Sequence, residues 1–209
     1  MSESNSIQNS TIPSAVPEGY HVRELNREEY RSYSKIWDPI IFDANQPVLH
    51  PKRTPEKEAL REQLKARINE NAWTLRLALF HGEDVAGWTY VNQEDADSVH
   101  MHSSVILPLH RRKGLYTFLL HEVVRRAANE GFEIVSSHHN PANTSILIAK
   151  LKAGFVVSGF SVNDIVGPLV RLSLFVEPNR RSAMEFRLGH AFATETILAS
   201  LANPKKEPL

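Results

Sequence analysis

The chain has 209 residues, 42% of them hydrophobic and 23% charged, which suits one folded domain with tails and a proper core. Lys+Arg 24 against Asp+Glu 24 gives a formal charge of zero, which argues against a general nucleic-acid binder or a polybasic membrane protein, so any phosphate recognition must be local. The absence of cysteine excludes disulfides, thiolate metal clusters and a cysteine nucleophile, and leaves ten histidines as candidate proton carriers.

Residues 1–18 are rich in Ser, Asn and Pro and offer no face to bury, so a flexible tail is expected there. The start, MSESNSIQNST, lacks the basic end and apolar stretch of a signal peptide, and no apolar run nears the ~20 residues of a membrane span. A cytoplasmic protein without membrane or nucleic-acid partners is the expectation. The domain is expected over 19–177, followed by a C-terminal helical extension and tail over 178–209. Within it, His21 to Leu25 alternate like a strand, and Asn26 with Glu29 supplies a helix start. Tyr30, Tyr33, Ile36 and Trp37 share one face of that helix, and Pro39 is expected to end it. Residues 38–53 hold three prolines and read as a long functional loop. Thr54-Pro55-Glu56 opens a second helix with Leu60, Leu64 and Ile68 as its expected buried stripe.

From Trp73 the period changes to two, with a hairpin through His81–Asp84 and a third strand from Ser98 to Leu107. Leu115, Leu119, Val123 and Ala127 mark a helix stopped by Gly131. A strand at 132–137, a helix at about 143–153 and strands near 155–160 and 169–176 complete the domain. The order predicts an α+β fold around a mixed sheet, in which strands 98–107 and 132–137 are parallel neighbours with a right-handed crossover. The extension carries Met184, Phe186 and Phe192, which would serve a homodimer contact or cover the sheet of their own chain.

Pro108-Leu109-His110-Arg111-Arg112-Lys113-Gly114-Leu115-Tyr116 lies between a strand and a helix start. Unpaired backbone N–H groups, the positive dipole end and three cations make this an anion site, while a solvated basic turn is the plainer reading of the tripeptide alone. From Ser98 to His121 there is no acidic residue, so this stretch is positive although the chain is neutral. Neither common nucleotide-loop glycine pattern is present.

Ile106-Leu107-Pro108 followed by Arg111-Arg112-Lys113-Gly114-Leu115-Tyr116 resembles the cofactor motif of the GNAT superfamily of acetyl-CoA-dependent N-acetyltransferases. Asn143 followed eleven residues later by Gly154-Phe155 resembles a second block of the same family, and the likeness covers roughly residues 19–176. The resemblance implies a mostly antiparallel mixed sheet flanked by helices, with a central parallel pair splayed around acetyl-CoA. It also implies direct acetyl transfer to a primary amine of a small molecule or peptide, without a metal. Ile106, Leu107, Arg111, Arg112, Lys113, Gly114, Leu115, Tyr116 and Asn143 are its implied cofactor contacts, with a backbone N–H at Ile106–Leu107 facing the oxyanion. Asn143 also reads as a helix N-cap.

Two departures follow. Tyr116 replaces a small residue at the loop's end, and Lys150 stands seven residues after Asn143, where many family members place a tyrosine acid. Lys150 itself reads as a solvated or salt-bridged helix residue. The missing tyrosine motivates a second reading, a catalytically silent acyl-CoA-binding regulatory or assembly module; a longer acyl chain is a third.

His100 and His102 lie two apart on the strand, expected on one face with Ser104 and Ile106. They stand eight and six residues before Pro108, where many family members carry a glutamate base. His102 is the favoured base, with His100 and then His138 as further candidates, against the plainer reading of half-exposed strand histidines. His139 reads as a loop residue. Trp37, Asp38, Phe42, Asp43 and Asp164 are candidates for the acceptor side, each equally consistent with packing or turn use. The acceptor itself is not legible.

Overall fold

A computed structural model describes residues 15–42, 52–69, 71–189 and positions 192, 195, 198 and 199. Residues 1–14 of the expected tail, and most of the segment after Gly189, lie outside the described residues.

The described elements are β1 (Tyr20–Glu24), α1 (Arg27–Phe42), α2 (Pro55–Asn69), β2 (Thr74–His81), β3 (Asp84–Gln93), β4 (Ser98–Ile106), α3 (Leu115–Asn129), β5 (Ile134–His139), α4 (Thr144–Lys152), β6 (Val156–Asn163), β7 (Gly167–Phe175) and α5 (Pro178–Arg187), with a short 3-10 turn at Pro108–His110. One seven-stranded sheet runs β1-β2-β3-β4-β5-β7-β6. Only β4 and β5 among its neighbours are parallel, joined by a crossover through α3. This is the α+β mixed sheet that the pattern predicts.

The β4–β5 ladder is short. It pairs Ser98 with Ile134 through Met101 with Ser137 and then stops, so the two strands part beyond Met101. On one face, α3 and the start of β6 bury Leu119, Val123, Phe155 and Met101 in the main core. On the other, Tyr30 and Tyr33 of α1 pack over Phe80, Trp88, Val105 and Leu107. The Asn26 side chain accepts from the N–H groups of Glu28 and Glu29, and Glu29 accepts from the Asn26 N–H, so the expected helix start is a capping box.

Four local expectations are corrected. α1 continues through Pro39 to Phe42; a proline inside a helix removes one backbone bond and can kink the helix without ending it. The expected loop 38–53 is therefore helical over its first five residues, and 43–51 lie outside the described residues. Leu60 and Leu64 are 55% and 47% exposed, and Ile36 58%: no described element covers α2, whose charged pairs Arg61–Glu58 and Lys65–Glu62 face water instead. The side chain of Ile68 lies outside the described residues. The segment 161–168, left between the strands expected near 155–160 and 169–176, is itself the β6–β7 hairpin, turned by Asn163 accepting from the N–H groups of Ile165 and Val166.

The fourth correction concerns β4. Tyr90 pairs with Ser103 and Val91 with Met101, so His102 is an extra residue, a β-bulge. The bulge shifts the side-chain alternation by one. His100, His102 and Ser103 face α1, whereas Ser104 and Ile106 face the other side, where Ser104 meets Thr89 at 2.7 Å and Ile106 joins the main core. The strict period of two, which put all four together, fails at that residue.

Candidate functional site

The turn after β4 is built for an anion. Arg112 has φ 61 and Gly114 φ 77, with Lys113 between them, an alternation that converges backbone N–H groups. No side chain caps the first turn of the fifteen-residue α3, so its leading N–H groups stay open, and a side chain added at Gly114 would meet nothing within 4 Å. Arg111 Nε donates to Ile106 O at 3.0 Å, and Lys113 Nζ donates to Tyr20 Oη at 3.0 Å, while Tyr20 Oη also meets His110 Nδ1 at 3.0 Å. Two of the three cations thus pin the turn to β4 and β1, and Arg112 is exposed. Leu115 is fully buried, and Tyr116 packs on the main core with its hydroxyl buried and unpartnered, which raises its pKa through burial.

Along β4 the backbone groups divide. Leu107 N–H donates to Ala86 O at 2.9 Å and is spent on β3. In an antiparallel ladder the groups of alternate residues point to opposite edges, so those of Ser104 and Ile106 point toward the open side of the fork. Gly87 permits this close pairing: a Cβ there would lie 2.4 Å from Val105 O.

Titratable groups gather on both faces of the fork. On the α1 face, His100 Nδ1 meets Ser136 Oγ at 2.8 Å, Ser136 Oγ donates to Glu94 at 2.9 Å, and Arg171 grips both Glu94 oxygens. Since Ser136 donates onward, His100 carries its proton on Nδ1 and turns its Nε2 toward His138 Nδ1, 3.5 Å away. His102 Nε2 contacts Asn92 Oδ1, an acceptor only, so the proton sits on Nε2 and Nδ1 keeps its lone pair. His102 stacks on Tyr90 and keeps an exposed edge. The Arg171 guanidinium holds the Glu94 carboxyl at about 2, and burial followed by the His102 charge pushes His100 down to about 3. His102 and His138 are lowered chiefly by burial. The three candidate bases are therefore brought together, all neutral at pH 7.

On the opposite face, Lys150 is 1% exposed, with Nζ 3.3 Å from Met101 Sδ and 4.3 Å from the Phe155 ring centroid. Burial brings its pKa down to about 7. This corrects the solvated or salt-bridged reading. Beside it, His139 Nε2 meets Ser137 Oγ at 2.9 Å and is driven to about 3 by burial and then by Lys150. The signal for Lys150 was its spacing: Leu147 and Ala153, three residues to either side, pack on the core. Glu94, Ser136 and Arg171 carry no such signal, because they come from the turn after β3, from β5 and from β7, distant in sequence.

Asn143 holds the N-cap position of α4, but its side chain caps nothing; it accepts from Ser145 Oγ at 3.3 Å. Asp38 has a buried carboxylate oxygen without a partner, and burial raises its pKa to about 6. Asp164 is an exposed turn residue. The side chains of Trp37 and Phe42, and all of Asp43, lie outside the described residues. Among the described residues no cluster of ligands could hold a metal, and no helix is long and apolar enough to cross a membrane.

Residues 22–154 match the sequence profile of the acetyltransferase (GNAT) family. Solved structures of similar fold include an N-acetyltransferase from Staphylococcus aureus Mu50, at 16% identity and TM-score 0.56 over 76% of this chain and 99% of that one. Spermidine N-acetyltransferase from Vibrio cholerae, in complex with CoA and spermine, gives 17% identity and TM-score 0.55 over 75% of this chain and 95% of that one. The yncA protein of Salmonella typhimurium with its cofactor acetyl-CoA gives 16% and 0.55 over 76% and 94%. At these identities the likeness is one of fold. No curated protein matches the chain.

Proposed function

Because the chain belongs to the acetyltransferase (GNAT) family, we propose that it moves an acetyl group from acetyl-CoA to a primary amine by direct transfer. The observation that carries this reading is one strand, β4, with an anion-binding turn at its end and an open fork lined by histidines at its middle. Acetyl-CoA supplies the activated acyl carbon as a thioester. The N–H groups of Arg112 to Tyr116 would hold its pyrophosphate, with Arg111 and Lys113 keeping the turn in place. From His102 to Ile106 the open edge spans roughly 13 Å at ~3.3 Å per residue, room for an extended arm. The Ile106 N–H is the donor for the developing oxyanion, since that of Leu107 is taken. Asn143, whose Oδ1 accepts from Ser145 Oγ, would offer its side-chain N–H groups to the same arm.

An alkylammonium has pKa ~10.4, so the acceptor must shed a proton before attack. His102 Nδ1 is the free lone pair on the exposed edge of the α1 face, and His138 is the second candidate. His100, held near 3, orients the network from Ser136 to Glu94 rather than taking the proton. Asp38, with one oxygen unpartnered, is the carboxylate that would meet the incoming ammonium.

The test is acetyl transfer from acetyl-CoA to a panel of polyamines, amino sugars, amino acids and peptide amines, beside calorimetry of acetyl-CoA binding. Turnover on an amine is the expected result. Tight binding with no turnover on any acceptor overturns the enzymatic reading in favour of a silent acyl-CoA-binding module.

A further inference from the structure

Lys150 is the one buried charged side chain among the described residues. A buried ammonium is ordinarily matched by a carboxylate, because taking a charge out of water costs several kcal/mol. Among the described residues no carboxylate pairs with it. Met101 sulfur and the Phe155 ring give weak contacts to a cation, and the titratable group beside it, His139, is neutral and cannot offset a charge. An apolar residue of the same length would fill the space at lower cost.

The position of that amine is specific. Met101 and Ser137 form the last rung of the parallel ladder before β4 and β5 part. Lys150 Nζ rests on Met101, so it lies at the crotch of the fork on the α4 face. The histidines that would take the acceptor's proton, His100, His102 and His138, are the residues next to that rung along β4 and β5 and face the α1 side.

We propose that Lys150 is the proton donor to the departing thiolate, a role that rests on the acetyl-transfer reading above. The acceptor nitrogen bonds to the thioester carbon and gives up its surplus proton to the histidine face. The C–S bond then breaks, and sulfur leaves with the bonding pair. One N–H of the Lys150 ammonium passes its proton to that sulfur, giving CoA thiol and a neutral amine, which must regain a proton after CoA leaves and before the next turnover. An alkyl thiol has pKa ~8.5. A lysine in water is a weaker acid than that thiol, whereas an amine held at about 7 is a stronger one and is half charged near neutral pH. Burial without a counter-charge is what makes the transfer downhill.

The experiment compares wild type with Lys150→Met and Lys150→Gln, two uncharged replacements of similar length. Its first readout is the ultraviolet absorbance of the thiolate of bound CoA across pH. With the ammonium beside sulfur, bound CoA ionises at lower pH in wild type than in either variant, by about one unit or more. The second readout is transfer from acetyl-CoA against transfer from the acetyl thioester of an aromatic thiol, which leaves without a proton. Lys150→Met should slow the first ~100-fold and the second by less than about threefold. Identical thiol ionisation with equal losses on both donors, or no loss, overturns the assignment while acetyl transfer by wild type stands. A wild type that binds acetyl-CoA and acetylates no amine overturns the function and this role together. Should both variants fail to fold, wild type decides: its rate with acetyl-CoA must fall above pH ~7 as Lys150 loses its proton, and its rate with the aromatic thioester must not.

Discussion

Met101 and His102 are neighbours on β4 yet serve opposite faces of the fork: Met101 lies under the Lys150 amine, and His102 stacks on Tyr90. Strand alternation separates them, and the bulge at His102 then turns Ser103 to the α1 side as well, where its hydroxyl meets Tyr30 at 2.9 Å. The proposed proton acceptor and the proposed proton donor thus approach one gap from two sides without neutralising each other.

The anion turn predicts its own disruption. Gly114→Asp places a carboxylate where the open N–H groups converge and forces a side chain into the left-handed region at φ 77. Acetyl-CoA affinity should fall at least ~30-fold, about 2 kcal/mol, with the melting temperature changed little. Arg111→Glu breaks the bond to Ile106 O and should weaken binding comparably. Unchanged affinity in calorimetry removes the phosphate assignment.

His102→Ala should lower turnover by ~100-fold or more while leaving acetyl-CoA affinity within about twofold. The acidic limb of the pH–rate profile belongs to the group that must be unprotonated, so it should shift or vanish in this variant. A profile of wild-type shape assigns the proton to His138 or water instead.

Asp38→Asn keeps the shape and removes the charge of the unpartnered carboxylate. The KM for a cationic acceptor should rise several-fold with KM for acetyl-CoA unchanged, and steady-state kinetics on both substrates checks this. Equal KM values place the acceptor elsewhere.

The fold was legible because its signals are local: the capping box at Asn26, the periods of two and four, and the helix between strands 98–107 and 132–137. The anion turn was legible for the same reason, as a run of adjacent residues between a strand and a helix. What escaped depended on contacts across the sheet. A bulge has no composition, so Ser104 and Ile106 were assigned to the histidine face. The buried stripe expected of α2 rested on Leu60 and Leu64, whose spacing is right but which have no described surface to meet. Lys150 reads as a surface residue by type, and only the packing of α4 against Met101 and Phe155 reveals it as buried.

The buried histidines His100 and His139 should destabilise the fold in acid, against a smaller opposing gain from Asp38, whose carboxyl binds a proton more readily folded than unfolded. His100 and His139 titrate near 3 in the folded chain and near 6.5 unfolded, so the unfolded state binds protons first as pH falls below 6.5. The histidine contribution is full above that value and is lost progressively toward pH 3, by about 2 kcal/mol per histidine at pH 5. Glu94, at about 2 when folded, adds a loss of the same sign below pH 4.5. Urea denaturation of wild type and His139→Gln at pH 8 and pH 5 isolates the histidine part, since the other groups cancel: the loss between the two pH values should be smaller in the variant by about 2 kcal/mol. Equal losses in the two proteins mean that His139 is charged in the fold.

Lys150 predicts the opposite of what losing a functional group usually does to a protein. Its amine titrates at about 7 when folded and 10.5 in the reference state, so the folded chain binds fewer protons between those values. The penalty is absent above pH 10.5, grows by ~1.4 kcal/mol per unit as pH falls, and levels off below 7. Lys150→Met should therefore be more stable than wild type by ~3 to 5 kcal/mol at pH 7, with the gap closing toward pH 10. Other groups titrate alike in both proteins and cancel in the difference. Parallel stability curves would show that a counter-charge accompanies Lys150. A gap that narrows with rising pH, alongside a slowed acetyl transfer, identifies stability given up to keep a proton donor at the fork.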